Sequence, residues 1–234
     1  MALFGVNFSI YYLVLLRQFG KVLRNEELWT YLGIMAGAIA LITWDIAPQY
    51  HGDVGQSLHH AAFQVSSIMT TTGFATTDFN LWPPFSKMIL VTLMIVGACA
   101  GSTGGGIKAA RVLLLFKSGR RSLKRIIRPR QVAQVHVDGQ LVDESVIHNT
   151  YSYMVFYSIT AILSMLVVAL DEQSLETTIT GVLTCLNNVG PGMDMVGPMS
   201  NFAHLSWLSK LVLSFDMLLG RLEIFPMLLL FMPG

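Results

Sequence analysis

Three long stretches without a charged residue constrain the fold of this chain most strongly. They cover residues 28–44, extendable to 47, residues 88–107 and residues 149–170. A bilayer core of about 30 Å is crossed by about 20 apolar helical residues, so each stretch can span a membrane. Only 12% of the 234 residues are charged, which excludes a soluble globular enzyme, and a net charge of +1 offers no basic field for nucleic acid. The sequence therefore predicts an all-α membrane protein with no nucleic-acid partner.

The two ends of the chain are less regular than these three stretches. A fourth apolar run, residues 203–232, is interrupted by Asp216, Arg221 and Glu223, at positions where charge is costly in a membrane. The opening run, residues 2–16, is short for a complete span. It lacks a basic start and a small-residue cleavage pattern, so a removable signal peptide is not expected. Residues 1–24 are predicted to be the end of an inner helix from a preceding repeat.

Charge asymmetry predicts the orientation in the membrane. Lysine and arginine concentrate in residues 17–24 and 108–130, and both loops should therefore be cytoplasmic. Between the spans lie SLHHAAFQVSSIMTTTGF (57–74) and SLETTITGVLTCLNNVGP (174–191), which are too short and too polar to cross. Each must enter from outside and return, and non-helical backbone at that depth must be buried or line a wet cavity.

An internal repeat relates these segments. At an offset of 117 residues, Gly73 matches Gly190 and the dipeptide Ser57–Leu58 matches Ser174–Leu175, and the same register extended without a gap pairs Phe85 with Phe202, Gly104 with Arg221 and Ile107 with Ile224. One offset also aligns a span, a re-entrant segment and a second span. The sequence predicts two helix, pore-loop, helix repeats over residues 25–116 and 148–234, separated by a cytoplasmic loop over residues 117–147.

The re-entrant segments carry the predicted ion chemistry. A short helix over about residues 57–70 and another over 175–186 would direct their C-terminal carbonyl dipoles into the membrane, which favours a cation. The candidate selectivity-filter residues that follow are Thr71, Thr72, Gly73, Phe74, Asn188, Val189, Gly190 and Pro191. Glycine permits the backbone angles that turn successive carbonyls toward one axis. Ordinary turns would explain either segment alone, but their recurrence after a short helix favours a filter for a dehydrated monovalent cation.

Four motifs in this order, TTTGF, GSTGGGIK, NNVGPG and GRLEIFP, resemble the TrkH/TrkG/KtrB superfamily of potassium transporters, which is related to the plant HKT transporters. The resemblance covers essentially the whole chain and implies four repeats around one pseudo-fourfold, potassium-channel-like pore. This chain resembles the last two repeats, with GVNFSIYY at the end of the second. Potassium would be the transported ion, bound by Thr71, Thr72, Gly73, Asn188, Val189 and Gly190, with no other cofactor and no catalytic residues.

The resemblance also implies partners and a location. The location would be the bacterial cytoplasmic (inner) membrane, and the regulatory partner a cytosolic nucleotide-binding subunit of the TrkA/KtrA type. Because two repeats cannot enclose a fourfold pore, we expect an N-terminal half or a second copy of the chain as a further partner. Membrane lipid is expected at the basic residues 117–130, and the alternating residues 135–142 around Asp-Gly predict a small hairpin that could bind a partner.

A glycine-rich stretch in the second helix of the first repeat is the candidate gate. It contains Gly101, Ser102, Thr103, Gly104, Gly105 and Gly106, and it should unwind because each interior glycine costs about 1 kcal/mol against alanine. Lys108 follows Ile107 and no strand precedes the motif, so a phosphate-binding loop does not fit. Close packing of small residues is an alternative. The resemblance implies instead a loop that blocks the pore below the filter.

Arg221 is the second candidate gate element. An arginine below a cation filter would be an electrostatic barrier, which is the role the resemblance implies, whereas an interhelical bridge is the structural alternative. Arg221 and Glu223 are about 200° apart on a helix and cannot both face a pore. Glu223 and Asp216 are expected to be structural, and Pro226 should kink the helix. Cys99 and Cys185 lie in apolar stretches and are expected to be small buried hydrophobes.

Three function classes follow from these residues. A potassium-conducting pore needs oxygen-lined filters, a proton- or sodium-coupled carrier would use Asp216, Arg221 and Glu223, and an intramembrane hydrolase would need a nucleophile beside a base. The hydrolase is the weakest of the three. A half-transporter that is inactive by itself is a further reading of the potassium pore.

Overall fold

The computed structural model describes residues 1–128 and 134–222, and Arg130, Glu223, Ile224 and Pro226 lie outside them. The α-helices are α1 (Phe8–Leu15), α2 (Phe19–Leu23), α3 (Glu26–Ile46), α4 (Val54–Met69), α5 (Pro84–Ile95), α6 (Ala109–Ile127), α7 (Glu144–Val168), α8 (Leu175–Leu186) and α9 (Trp207–Leu222). Short 3-10 helices cover Ala2–Gly5, Ala47–Tyr50, Phe79–Leu81, Ala169–Asp171, Asp194–Val196 and Phe202–His204. Two strands, β1 (His136–Val137) and β2 (Gln140–Leu141), pair antiparallel. The predicted helical architecture is confirmed.

Within residues 1–128 and 134–222, two helices are long and apolar enough to cross a membrane: Glu26–Tyr50 and Glu144–Asp171, each counted with its terminal 3-10 turn. They coincide with the first and third uncharged runs. Both end in a left-handed residue, His51 at φ 54° and Glu172 at φ 55°, which turns the chain back toward the pore helix. Large apolar side chains such as Trp44 and Leu163 are exposed on their outer faces, as expected of helices that contact lipid or further protein.

The second uncharged run is not one continuous helix, in agreement with the predicted unwinding. Helix α5 ends at Ile95. The backbone then forms a loop whose two ends, Val96 and Ile107, are joined by a parallel β-bridge. The amide of Gly97 donates to the carbonyl of Ile107 at 2.9 Å, and the amide of Ala109 donates to the carbonyl of Ala98 at 3.0 Å. The glycine-rich residues between these contacts therefore form a closed excursion, here named the glycine loop (residues 98–106).

The region 117–147 differs from the cytoplasmic loop that the sequence predicts. Helix α6 continues through Ile127, so much of the basic segment is an amphipathic helix. The hairpin prediction is correct: β1 and β2 flank Asp138 and Gly139, whose φ angles of 52° and 77° are those of a type I′ turn. In residues 1–24, predicted as the end of an inner helix, a 3-10 turn and extended Val6 and Asn7 precede α1.

The two short pore helices agree with the predicted ends but not with one of the predicted starts. Helix α8 occupies Leu175–Leu186, whereas α4 begins at Val54, three residues before the predicted start. Asp53 caps α4 by accepting from the amides of Gly55 and Gln56, and Ser174 caps α8 by accepting from the amide of Thr177. The matched Ser57 instead lies inside α4 and donates to the carbonyl of Asp53 at 2.9 Å.

The gap-free repeat register is wrong outside the ends of the pore helices. Left-handed residues before these helices are 121 positions apart (51 to 172), and the 3-10 turns after the filter segments are 123 apart (79 to 202). Phe202 therefore corresponds to Phe79, not to Phe85. In this register Arg221 corresponds to Ala98 and not to Gly104. The second pore helix is shorter by one turn, and its following loop is longer by six residues.

The core is built around the pore helices. Helix α4 packs on α3 and α5, and buried Tyr31, Ile42, Ile68 and Met94 form the centre of this cluster. Helix α8 packs on α7 and α9, with Val182, Cys185 and Leu213 in a smaller cluster. Cys99 and Cys185 are buried free thiols, as expected. Each of these short helices is therefore held between the helices that precede and follow it in its own repeat.

Candidate ion-conducting site

Both pore helices end in the same hydrogen-bonded turn. Thr71 and Asn188 occupy the left-handed region at φ 52° and 55°, and Gly73 and Gly190 have φ angles of 81° and 111°. The amides at positions 71 and 72 donate to carbonyls three and five residues back, and positions 188 and 189 repeat this pattern. This is a Schellman termination, which normally has glycine at the left-handed position. A threonine there is costly, and its side chain must therefore be held by other contacts.

Two hydroxyls that sequence reasoning missed fix the far end of each filter segment. Ser67 donates to the carbonyl of Phe74 at 2.5 Å, and Thr184 donates to the carbonyl of Pro191 at 3.1 Å. Both pairs are seven residues apart and both lie at the offset of 117. The carbonyls of Phe74 and Pro191, predicted as ion ligands, thus accept hydrogen bonds from the pore helices.

The two predicted filter segments lie against each other. A methyl group built on Gly73 would be 2.6 Å from the carbonyl oxygen of Val189 and 3.7 Å from the Cα atom of Gly190. No side chain can be added at Gly73 without moving backbone of the other segment. Glycine is therefore required there both for its φ angle and for this close approach.

A buried side-chain amide lies directly before the second predicted filter segment. Asn187, fully buried at the end of α8, donates to the carbonyl of Leu183 at 2.8 Å and exchanges hydrogen bonds with the hydroxyl of Tyr157 on α7. Sequence reasoning named Asn188 and passed over Asn187. The sequence indicated Asn187 only through the pair of adjacent asparagines, because its partner Tyr157 is 30 residues away.

The glycine loop fits under the inner ends of both filter segments. The amide of Gly105 donates to the hydroxyl of Thr71 at 2.9 Å, and a Cβ on Gly105 would overlap the carbonyl oxygen of Asn187. A Cβ on Gly104 would lie 3.6 Å from the carbonyl oxygen of Thr70. Gly104, Gly105 and Gly106 are buried. Loop backbone therefore occupies the space beside the carbonyl ends of the two pore helices, where the helix dipoles favour a cation.

The N-terminal segment holds the other side of this loop, which the sequence did not predict. The amide of Cys99 donates to the carbonyl of Gly5 at 2.9 Å, and the amide of Phe8 donates to the carbonyl of Gly101 at 3.1 Å. The buried carboxylate of Glu27 on α3 accepts from the amide of Ala100 at 2.5 Å. The beginning of the chain and α3 thus fix the first half of the loop.

Arg221 and Asp216 contact different parts of the molecule. Arg221 donates from Nη1 to the carbonyl of Thr103 at 2.8 Å, so it reaches the glycine loop although the register places it opposite Ala98. Asp216 accepts from the hydroxyl of Ser164 on α7 at 2.8 Å, and its Oδ2 atom is buried with no hydrogen-bond partner among the described residues. Five residues on a helix separate the two side chains by about 140°, so they do not share a face.

The hairpin is fixed to the N-terminal end of α3. Asp138 accepts from the amide of Glu26 at 2.7 Å and from the side-chain amide of Asn25 at 3.1 Å. A residue of the hairpin thereby caps the N-terminus of α3. Lys117 on α6 binds the Glu26 carboxylate and donates to the carbonyl of His136 at 2.6 Å. One polar cluster therefore joins α3, α6 and the hairpin.

On the opposite side, Asp194 joins the two repeats. Its carboxylate accepts from the hydroxyls of Ser174 and Thr177, and both contacts hold the pKa of Asp194 below its usual range. Asn80 of the first repeat accepts from the amide of Asp194 at 2.9 Å and donates to its carbonyl at 3.3 Å. An ion pair between Lys87 and Glu176 at 3.0 Å adds a second link. These contacts connect the two repeats beside the predicted filter segments.

The comparison with known proteins agrees with this geometry. A family model named TrkH and described as a cation transport protein matches residues 48–233. The chain belongs to the TrkH family. This family transports ions and does not catalyse a chemical reaction. The chain superposes with a TM-score of 0.86 on the crystal structure of the potassium transporter TrkH from Vibrio parahaemolyticus, at 30% sequence identity, covering 99% of this chain and 50% of the other.

Curated members of the TrkH family are similar over nearly the whole chain. The Trk system potassium uptake protein TrkH of Salmonella typhimurium is 34% identical over 233 residues, which are 98% of this chain and 47% of the relative. TrkG of Escherichia coli, also a Trk system potassium uptake protein, is 32% identical over 226 residues, 96% of this chain and 46% of the relative. The chain spans about half the length of the curated relatives it matches.

Proposed function

We propose that this chain contributes two of the four pore segments of a potassium uptake system in the bacterial inner membrane. The observation that carries the proposal is the pair of matched turns. Residues 71–73 and 188–190 both have positive φ angles at their first and third positions, and they face each other at Gly73 and Gly190. Consecutive backbone carbonyls at glycine-containing turns can replace the hydration shell of a potassium ion. The printed names of the relatives, which are potassium uptake proteins, support this choice of ion.

Within this proposal, the ion is held by backbone oxygens of Thr71, Thr72, Gly73, Asn188, Val189 and Gly190. Phe74 and Pro191 have a different part: because their carbonyls accept from Ser67 and Thr184, they anchor the filter segments to the pore helices. The hydroxyls of Ser67 and Thr184 preorganise the backbone, so that little reorganisation is needed when an ion binds.

The glycine loop and Arg221 form the proposed gate, and the described arrangement corresponds to its closed state. Loop backbone lies beside the carbonyl ends of both pore helices, and a guanidinium group at Thr103 repels cations that approach from below. The hydrogen bond from Arg221 also satisfies a carbonyl that the interrupted helix leaves free. One side chain thus supplies both charge and anchorage.

The second half of the pore comes from a further partner, either another copy of this chain or a separate N-terminal half. Membrane lipid is a second partner, and α6 suits its surface because Arg120 and Lys124 lie near exposed Leu123 and Ile126. A cytosolic nucleotide-binding subunit of the TrkA/KtrA type is the proposed regulator. The cluster of Asp138, Lys117 and Glu26 is its most suitable contact, since α6 leads directly into the glycine loop.

Flux of labelled potassium into liposomes tests this function. The native mass of the detergent-solubilised chain is measured first, and a value near twice 25.8 kDa indicates that two copies pair. A chain that stays monomeric is reconstituted together with the N-terminal half of a TrkH relative. We expect potassium uptake that excess sodium does not inhibit. An assembled particle that conducts sodium and potassium equally would contradict the proposal.

The coupled carrier is the second candidate, and one observation favours keeping it. Asp216 has a buried carboxylate oxygen without a partner among the described residues, which is unusual unless the group titrates or binds an ion. Against a relay, Asp216 and Arg221 contact Ser164 and Thr103 on separate faces. Repeating the flux measurement with and without a proton gradient separates the two: a carrier requires the gradient, whereas a pore follows the potassium gradient alone.

A further inference from the structure

The second residue after each pore helix is hydrogen-bonded to a later segment of its own repeat. Thr71 accepts at its hydroxyl from the amide of Gly105 in the glycine loop, at 2.9 Å. Asn188, at the matched position, donates from its side chain to the carbonyl of Met217 on α9, at 3.1 Å. The two side chains differ in chemistry, and the two backbone targets differ as well. What they share is a left-handed backbone angle that aims the side chain away from the pore helix.

From these contacts we propose that Thr71 and Asn188 are positioning residues that tie the filter to the inner helices, and that the Thr71 hydroxyl is the latch of the glycine loop. This inference rests on the proposed function of the filter and the loop. The loop can leave the space beneath the filter only when the bond between Gly105 and Thr71 breaks. Through this hydroxyl group the proposed filter and gate are mechanically coupled.

Burial makes this single bond significant. Gly105 is buried, and a buried amide that loses its acceptor retains the cost of its own desolvation. Gly105 is also confined by the backbone of Asn187, so its amide cannot turn to another acceptor while the loop stays in place. Removing the hydroxyl leaves the closed loop with an unsatisfied donor, and a displaced loop exposes that donor to water. The closed state alone is destabilised.

The latch explains why a β-branched residue is kept in the left-handed region. The left-handed conformation at φ 52° is unfavourable for Thr71, whereas asparagine at position 188 adopts it more readily. Among the described residues, the Thr71 hydroxyl has a hydrogen bond with Gly105 alone. The neighbouring Thr70 and Thr72 hydroxyls instead bond to each other at 2.8 Å. The contact with Gly105 is thus the compensation for the strained backbone at Thr71.

Hydrogen exchange of the glycine loop tests the latch without requiring ion flow. The intact chain is compared with Thr71→Val, which keeps the shape but removes the hydroxyl, and with Thr71→Ser, which keeps the hydroxyl. We expect peptides covering residues 101–106 to exchange about tenfold faster in Thr71→Val and at the native rate in Thr71→Ser. Native protection in Thr71→Val, or equal loss in both variants, would overturn the latch. Circular dichroism verifies that both variants fold.

Adding potassium or sodium chloride to the same measurement, made on the assembled particle, tests the coupling between filter and loop. Potassium in the filter should slow loop exchange in the native chain and in Thr71→Ser, while sodium should not. In Thr71→Val this potassium effect should disappear, because the filter no longer holds the loop. An equal potassium effect in Thr71→Val would overturn the coupling. If potassium has no effect on any of the three proteins, the filter assignment fails. The difference in loop exchange rate between Thr71→Val and Thr71→Ser still tests the latch in that case.

Discussion

Replacing Gly105 with alanine should open the proposed gate. The new Cβ atom would overlap the carbonyl oxygen of Asn187, which is backbone at the end of a buried helix and cannot rotate away. Inserting one methyl group into a rigid contact of this kind costs about 1–3 kcal/mol. The open state relieves the overlap, so the substitution acts on the closed state. A shift of about 2 kcal/mol changes the ratio of closed to open loops roughly 30-fold.

The assay is labelled potassium flux into liposomes, with the same assembled particle and the same external sodium concentration. We expect flux to rise in Gly105→Ala while the preference for potassium over sodium is unchanged, because the filter backbone itself is not substituted. Gly37→Ala is the matched control. Gly37 lies within α3 with no atom near its missing Cβ, so alanine there should gain about 1 kcal/mol of helix stability and leave flux unaltered.

Two results would refute this reasoning about the loop. A folded Gly105→Ala protein with native flux would show that the loop does not restrict the ion path. Flux that rises equally in Gly37→Ala would show that added methyl groups disturb the bundle in general. Thermal unfolding of both variants, followed by circular dichroism, separates these outcomes from simple loss of structure.

Three further predictions concern the remaining parts of the site. Arg221→Ala should raise flux by removing the charge and the bond to Thr103, and its effect should be less than additive with Gly105→Ala in a double-mutant flux measurement; native flux together with lost membrane insertion would indicate a structural bridge instead. Gly73→Ser should let sodium pass, since its Cβ lies 2.6 Å from the Val189 oxygen, and unchanged selectivity in both Gly73→Ser and Gly190→Ser would contradict the filter assignment. The lowered pKa of Asp194 contributes stability above the ordinary carboxyl pKa of about 4, and this stability is lost as pH falls through the lower native value; melting temperature should therefore drop on acidification below about pH 4, and this drop should be smaller in Asp194→Asn.

Local signals in the sequence were sufficient for the elements of the fold. The absence of charge located α3 and α7, and the glycine content located the break after α5. The short helices before TTTGF and NNVGPG were also recognised, because their ends coincide with the motifs. The start of α4 was missed since Asp53 caps it one turn earlier than its counterpart in α8. The start of a helix can depend on a single capping side chain, and comparing the two repeats does not reveal which residue is the cap.

Long-range contacts explain what the sequence did not reveal about the site. The offset of 117 is correct only across the pore-helix ends, because the loop containing Asp194 is six residues longer than the corresponding loop of the first repeat. Arg221 reaches Thr103 by the length of its side chain, not by equal depth. Likewise, Tyr157 and Gly5 support the site from distant positions, and neither belongs to a motif.

The unequal residues at the matched positions have a consequence for how such a pore can change. In a homotetrameric channel every substitution appears four times, so even a mild change is multiplied around the ring. In this chain the two matched positions hold different residues, Thr71 and Asn188, and each can be altered without the other. A change at position 71 would act on the contact with the glycine loop, and a change at position 188 would act on the contact with α9, so the two contacts can be adjusted separately.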